Sequence, residues 1–154
     1  MSFSLELEEL VNRYQIAMNT VYRGVNTLMK DKISTEITID QFPTLQYIAS
    51  HQDCTSTEIA AIFGIGKSAV TAQINRMFEK GFLTRTRDAN DRRIVYLSTT
   101  KAGEQLVSQT ERTLYQCLGP VLGNFTEQDI HHFLELLEKL AHLMEIQAKG
   151  EKLS

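Results

Sequence analysis

Between residues 84 and 99 the sequence reads TRTRDANDRRIVYLST, which sets Arg85, Arg87, Arg92 and Arg93 around Asp88 and Asp91. A guanidinium is a permanent cation with its donors in a planar fork, suited to phosphate oxygens and to base edges. Carboxylates beside it look counterproductive for binding a polyanion. A bidentate pair, however, fixes an arginine in one rotamer, so less entropy is lost when it binds. Asp88 and Asp91 are therefore candidate orienting residues for Arg92 and Arg93. The whole chain of 154 residues carries a formal charge of -3. Residues 64–93 hold seven Lys or Arg against three Asp or Glu, a net +4 that leaves -7 for the remainder. A local basic surface on an acidic body points to a specific polyanion site.

Other chemistry is poorly supplied. There is no His/Asp/Ser or Cys/His constellation with workable spacing and no phosphate loop, and only His51 lies near the cationic segment. An enzyme is not expected. His131, His132, Glu135 and His142 share one late segment but fall short of a four-liganded zinc site, so neither metal nor cofactor is expected. Cys54 and Cys117 fit no metal-knuckle or disulfide pattern. Each is a candidate redox sensor or a small buried apolar residue. No apolar run of about 18 residues appears, and the first residues, MSFSLELEELVNRY, are acidic where a secretory leader needs a basic start. A cytoplasmic protein without a membrane segment is expected.

The elements that must hold the cationic segment follow from periodicity. Leu7, Leu10, Tyr14, Ala17, Val21, Val25 and Leu28 recur every three or four residues, which predicts a long amphipathic helix from Leu5 to about Lys32. A second helix lies in ITIDQFPTLQYIASH, with Thr38 and Gln41 at capping-box spacing. Counted from Thr38, Pro43 falls where an N–H should already be bonded, so the regular helix starts nearer Asp40 or its first turn is distorted. Thr55 and Glu58 cap a short third helix whose inward face is Ile59, Ala60, Ile62 and Phe63. After Gly64-Ile65-Gly66 a fourth helix faces inward through Val70, Ile74 and Met77 and stops at Gly81. Two short helices joined around a glycine make a helix-turn-helix. Strands follow on either side of the Asp/Asn turn chemistry at 88–91. Thr99 or Thr100 then caps a fifth helix, weakened or kinked at Gly119-Pro120, and Thr126 caps a sixth that carries Ile130, Phe133, Leu134, Leu137, Leu140, Leu143 and Met144. The fold expected is mainly α with a small β-wing.

The second helix of such a motif can enter the major groove of a duplex, and here it turns Lys67, Ser68, Thr71, Ala72, Asn75 and Arg76 away from the core. Ser68 and Thr71 suit phosphate or base edges, Lys67 supplies charge, and Arg76 can fork onto phosphate or guanine. A hairpin tip beside that helix can reach the neighbouring minor groove with an arginine.

The run IAAIFGIGKSAVTAQINRMFEKGFLTRTRDANDRRIVYLSTTKAGEQL resembles the winged-helix core of the MarR family of bacterial transcriptional regulators. The resemblance rests on Ala60, Gly64 and Val70, on Glu-Lys-Gly before Phe82-Leu83, on Asp-x-x-Asp-Arg-Arg at 88–93, and on Ser98-Thr99-Thr100 with Lys101-Ala102-Gly103. It implies one domain over residues 1–154: a winged helix-turn-helix lobe at 36–100, flanked by long dimerisation helices at 1–35 and 101–148. It further implies a homodimer on a pseudo-palindromic operator, acting as a repressor released by a small amphipathic or phenolic ligand or by oxidation. By position, Ser68, Thr71 and Arg76 match recognition-helix contacts, and Arg93, with Arg92 beside it, the wing arginine. Ala72 stands where many relatives carry a larger polar or basic residue, which shifts base readout towards Gln73, Asn75 or Lys67. Tyr14, Tyr22, Phe42, Tyr47 and Ile48 are candidates for a ligand pocket, and equally suit core and interface packing. The competing reading is a winged-helix protein-interaction module that binds no DNA.

Overall fold

The structure is a computed structural model that describes residues 4–33 and 36–150. In chain order the elements are α1 (Ser4–Met29), α2 (Phe42–Ser50), α3 (Ser56–Phe63), α4 (Lys67–Glu79), β1 (Leu83–Arg87), β2 (Val95–Thr99), α5 (Lys101–Leu122) and α6 (Glu127–Ala148). The strands form one antiparallel hairpin in which Arg85 pairs with Leu97 and Arg87 with Val95. This is the mainly helical, winged arrangement expected. By its contacts the chain divides into two compact units, Met1–Tyr115 and Gln116–Ser154, with the boundary inside α5. α1 falls into the first unit because its end is attached there: Met29 is buried and the Tyr22 hydroxyl donates to Asp40 at 2.8 Å.

The core of the first unit is one cluster containing Leu45 and Ile48 from α2, Ile59 from α3, Val70, Ile74 and Met77 from α4, and Phe82, Leu83 and Leu97 around the hairpin. These are the positions that 3.6- and 2-residue periods bring to one face. The start of α2 resolves the Pro43 conflict. Thr38 and Gln41 do exchange hydrogen bonds, backbone N–H to side-chain oxygen in both directions at 3.3 Å, but they do so on a preceding turn. Regular helix begins at Phe42, so Pro43 sits in the first turn, where no N–H is needed. In α3 the Thr55 hydroxyl accepts from Glu58 N–H as expected, at 3.2 Å. The inward face is narrower than expected: Ile59 and Ala60 are buried, whereas Ile62 and Phe63 are 51% and 37% exposed. A helix of eight residues offers about two turns, and its last turn runs past the core edge towards Gly64. α4 ends in a Schellman arrangement: Gly81, at φ 80°, bonds back to Phe78 O, and Phe82 N–H bonds to Met77 O at 2.9 Å.

α1 stops at Met29, three residues short of the expected Lys32, and its stripe is uncovered in the single chain. Leu7, Leu10, Tyr14, Val21 and Tyr22 are each more than half exposed. In the second unit, α5 continues through Pro120 to Leu122, and the Asn124 amide donates to the Pro120 and Val121 carbonyls. Thr126 and Asp129 complete a capping box at the start of α6. No residue of α6 is buried, and Phe133, Leu134, Leu137, Leu140, Leu143 and Met144 all lie exposed.

Two measurements test this packing. A Cβ at Gly103 would lie 2.2 Å from the Phe82 carbonyl oxygen, closer than packing tolerates. Although alanine ordinarily favours a helix over glycine, Gly103→Ala should lower stability to urea by about 1–3 kcal/mol, because α5 must move off the Phe82 backbone. The Tyr47 hydroxyl donates to Glu58 at 2.7 Å. That bond first, then burial, then the Glu58 charge, pushes the phenol from 10.0 up to about 12. A folded-state value above the unfolded one means a contribution held below the ordinary phenol range and lost as pH rises through about 12. Tyrosinate absorbance of the folded protein should show a late-titrating component from Tyr47, and Glu58→Gln should bring that component earlier.

Candidate nucleic-acid interface

Local chemistry builds the wing tip. Asp88 Oδ1 accepts from the backbone N–H groups of Asn90 and Asp91, both at 2.8 Å, a turn that Asp forms through its short side chain. Its Oδ2 accepts from the Tyr96 hydroxyl at 3.2 Å. The Asp91 bond, followed by that of Asn90, holds the Asp88 carboxyl below its usual range, and the shared bond raises Tyr96. Asp91 takes Arg93 in a bidentate pair, Nε to Oδ1 at 3.0 Å and Nη2 to Oδ2 at 3.1 Å, and also accepts from Arg93 N–H. That side-chain pair is the main cause that lowers Asp91 and raises Arg93. The Arg93 side chain is 91% exposed, so the pair adds little to stability. It sets a direction instead: the guanidinium stands in solvent with one edge held.

The expected division of labour between the aspartates is therefore half corrected. Asp91 orients Arg93, whereas Asp88 is used up on the turn and on Tyr96, and Arg92 has no hydrogen-bond or ion-pair partner among the described residues. The reason is reach. Asp88 stands at the first position of the turn, where two backbone N–H groups converge on it before any guanidinium can.

Beside the wing, α4 presents Lys67, Ser68, Thr71, Ala72, Asn75 and Arg76, all exposed, because Val70, Ile74 and Met77 fix its opposite face in the core. The Thr71 hydroxyl donates to Lys67 O at 2.8 Å, which leaves its lone pairs outward. Between this helix and the hairpin lies a concavity of about 360 Å³ lined by Ser56, Thr71, Ile74, Arg85, Arg87, Val95 and Leu97. Its polar lining is two arginines and two hydroxyls. Ser56 was missed in the sequence because it reads only as the first residue of α3.

Residues 37–95 match the model of the MarR family. The matched stretch runs from the turn before α2 to the first residue of β2. Most of the chain is also similar in fold to solved structures. FabT from Streptococcus pneumoniae, solved in complex with DNA, has a TM-score of 0.72 at 22% identity, over 88% of this chain and 97% of that one. A mutant MarR from E. coli, complexed with operator DNA, has 0.73 at 22%, over 91% and 98%. A MarR family protein from Bacillus stearothermophilus has 0.68 at 29%, over 92% and 95%.

Within the matched stretch not every expected contact faces outward. Gln73 is half-buried and its side-chain oxygen accepts from the buried Thr44 hydroxyl at 3.0 Å, so it turns to α2 and not to the outer face. It adjoins the core positions Ile74 and Val70 on the helical wheel, which explains the direction. Asn75 Oδ1 accepts from Arg85 Nη2, and the Arg85 guanidinium lies over the Phe78 ring, 4.5 Å from its centroid. The five candidate pocket residues are not gathered together. Phe42 and Ile48 are core, Tyr14 is exposed, Tyr22 is tied to Asp40, and Tyr47 stacks on His51 with ring centroids 3.9 Å apart. Tyr47 does line a separate cavity of about 460 Å³ with Pro43, Gln46, Phe63, Val107 and Glu111. Cys54 is fully buried, its thiol donates to His51 O, and burial first, then Glu58 and Asp53, raises its pKa. A thiol so placed is a poor thiolate, contrary to a redox role. Cys117 is buried as well. Among the described residues there is no helix long and apolar enough to cross a membrane.

Removing the carboxylate that folds the tip tests the assignment of Asp88. In Asp88→Ala, hydrogen exchange at the Asn90 and Asp91 amides should accelerate while the amides of α2–α4 stay protected; unchanged tip amides would show that the turn does not depend on Asp88.

Proposed function

We propose that this chain is a sequence-specific, double-stranded DNA-binding transcriptional regulator, a cytoplasmic homodimeric repressor that blocks promoter access at a pseudo-palindromic operator. One observation carries the reading: the outward face of α4, with Lys67, Ser68, Thr71 and Arg76, stands in the same unit as a wing whose Arg87 and Arg92 have no partner among the described residues and whose Arg93 is held outward by Asp91. That is a helix of groove-sized side chains beside an aimed cation, the geometry that suits a major groove and its neighbouring minor groove. In keeping with it, two of the similar structures are named as complexes with DNA. The rival protein-interaction module needs a neutral or apolar recognition face, which α4 does not have.

The homodimer is supported by surface chemistry. The apolar stripes of α1 and α6 are uncovered in the single chain, and a two-fold interface between long helices would remove them from water. For release, the cavity beside Tyr47 is of a size suited to a small amphipathic ligand, with Glu111 and Gln46 as its polar groups. Oxidation at Cys54 is disfavoured by its burial and raised pKa.

A mobility-shift assay on fragments of the promoter beside the gene, with the mass of the free protein measured in parallel, tests both parts. The expected results are a salt-sensitive shift, a particle of twice the 17.5 kDa chain mass, and a loss of about 1–3 kcal/mol in DNA affinity for Arg93→Ala with the mass unchanged. Absence of any shift at low salt would refute the DNA reading.

A further inference from the structure

Arg85 differs from the other wing arginines in what surrounds it. Strand alternation puts Leu83, Arg85 and Arg87 on one face of β1, and Leu83 is buried, so this face looks towards α4. Opposite Arg85 in the hairpin is Leu97, buried and bonded through its N–H to Cys54 O at 2.7 Å. The root of Arg85 is thus fixed to the lobe. Its guanidinium then spans the gap to the last turns of α4, where Asn75 and Phe78, three residues apart, present an acceptor and a ring on the same side. Phe78 is 43% exposed, and a planar cation over its face gives this aromatic a role.

We infer that Arg85 is a positioning residue, a strut that sets the wing against the recognition helix, with Asn75 and Phe78 as its seat. Arg85 and Asn75 then serve DNA binding through the place they give to Arg93, and not as contacts of their own to phosphate or base. The inference rests on the DNA-binding reading for its functional consequence and on contacts within the free protein for its structural one. Only a planar fork can stack on Phe78 and bond Asn75 at once, so lysine cannot replace arginine in the strut, whereas at a phosphate contact lysine keeps the charge.

The test uses the full chain with Arg85→Lys, Arg85→Ala, Arg93→Ala and the Arg85→Ala/Arg93→Ala double variant. In the free protein, both Arg85 variants should accelerate hydrogen exchange in the β1 and β2 amides with α2 and α3 still protected. On a DNA fragment that the unaltered protein binds, both should weaken binding by a similar factor of roughly tenfold. The double variant should bind about as Arg93→Ala does, since a strut has nothing left to aim. An Arg85→Lys protein of unaltered affinity, or losses that multiply in the double variant, would overturn the strut in favour of a direct phosphate contact. Should the unaltered protein bind no DNA, the regulator reading fails on its own, and the exchange data alone decide the strut: unchanged wing amides overturn it.

Discussion

The junction at Gly81-Phe82 is the contact on which the lobe depends. Gly81 takes the left-handed conformation that ends α4, Phe82 drops its ring into the core, and the Phe82 carbonyl accepts Thr100 N–H at 2.9 Å. The Thr100 hydroxyl donates to Gly81 O at 2.6 Å and accepts from Gly103 N–H at 3.1 Å. One threonine thereby closes the base of the hairpin and caps α5, and Gly103 is small enough for α5 to pass against the Phe82 backbone. The exit of α4, the root of the wing and the start of α5 are fixed at a single point. The place of the wing's root at the end of α4 follows from it.

From that root the wing spends its charges unequally. Arg85 is held at the helix, Arg93 is held at the tip by an aspartate, and Arg87 and Arg92 have no partner among the described residues. Exposed ion pairs contribute little to folding, but restricting a long side chain in advance reduces the entropy lost on binding. The acidic residues within the basic segment are explained by the same reasoning. Asp88 shapes the loop, Asp91 aims one arginine, and neither diminishes the cations that remain.

The uncovered apolar residues follow another logic. In the lobe, every large side chain whose position falls on the inner face finds a neighbour, with Ile62 and Phe63 outside it at the end of a short helix. Along α1 and α6 the apolar stripes have the period of a buried face, yet their large side chains lie exposed. Such stripes would be costly on a free surface, and their length, more than five turns in each helix, suits a partner helix better than a small ligand.

Much of this was legible from local spacing. The caps at Thr55, Thr100 and Thr126, the stop at Gly81, the three-residue turn at Gly64–Gly66 and the period change at the wing are settled within about four residues of chain, where side chain and backbone meet without help from elsewhere. The bidentate hold of Asp91 on Arg93 belongs to the same class, being two residues apart. Pro43 also announced its own constraint, since a residue without an N–H is accommodated best in the first turn. Tertiary structure decided what depends on pairs far apart in sequence: Gln73 turning to Thr44, Arg85 reaching Asn75 and Phe78, Tyr47 bonding Glu58, and Gly103 touching Phe82. Periodicity identifies the face a residue occupies, but at the edge of a face the nearest partner decides which way a flexible side chain turns. That partner is placed by the packing of other elements.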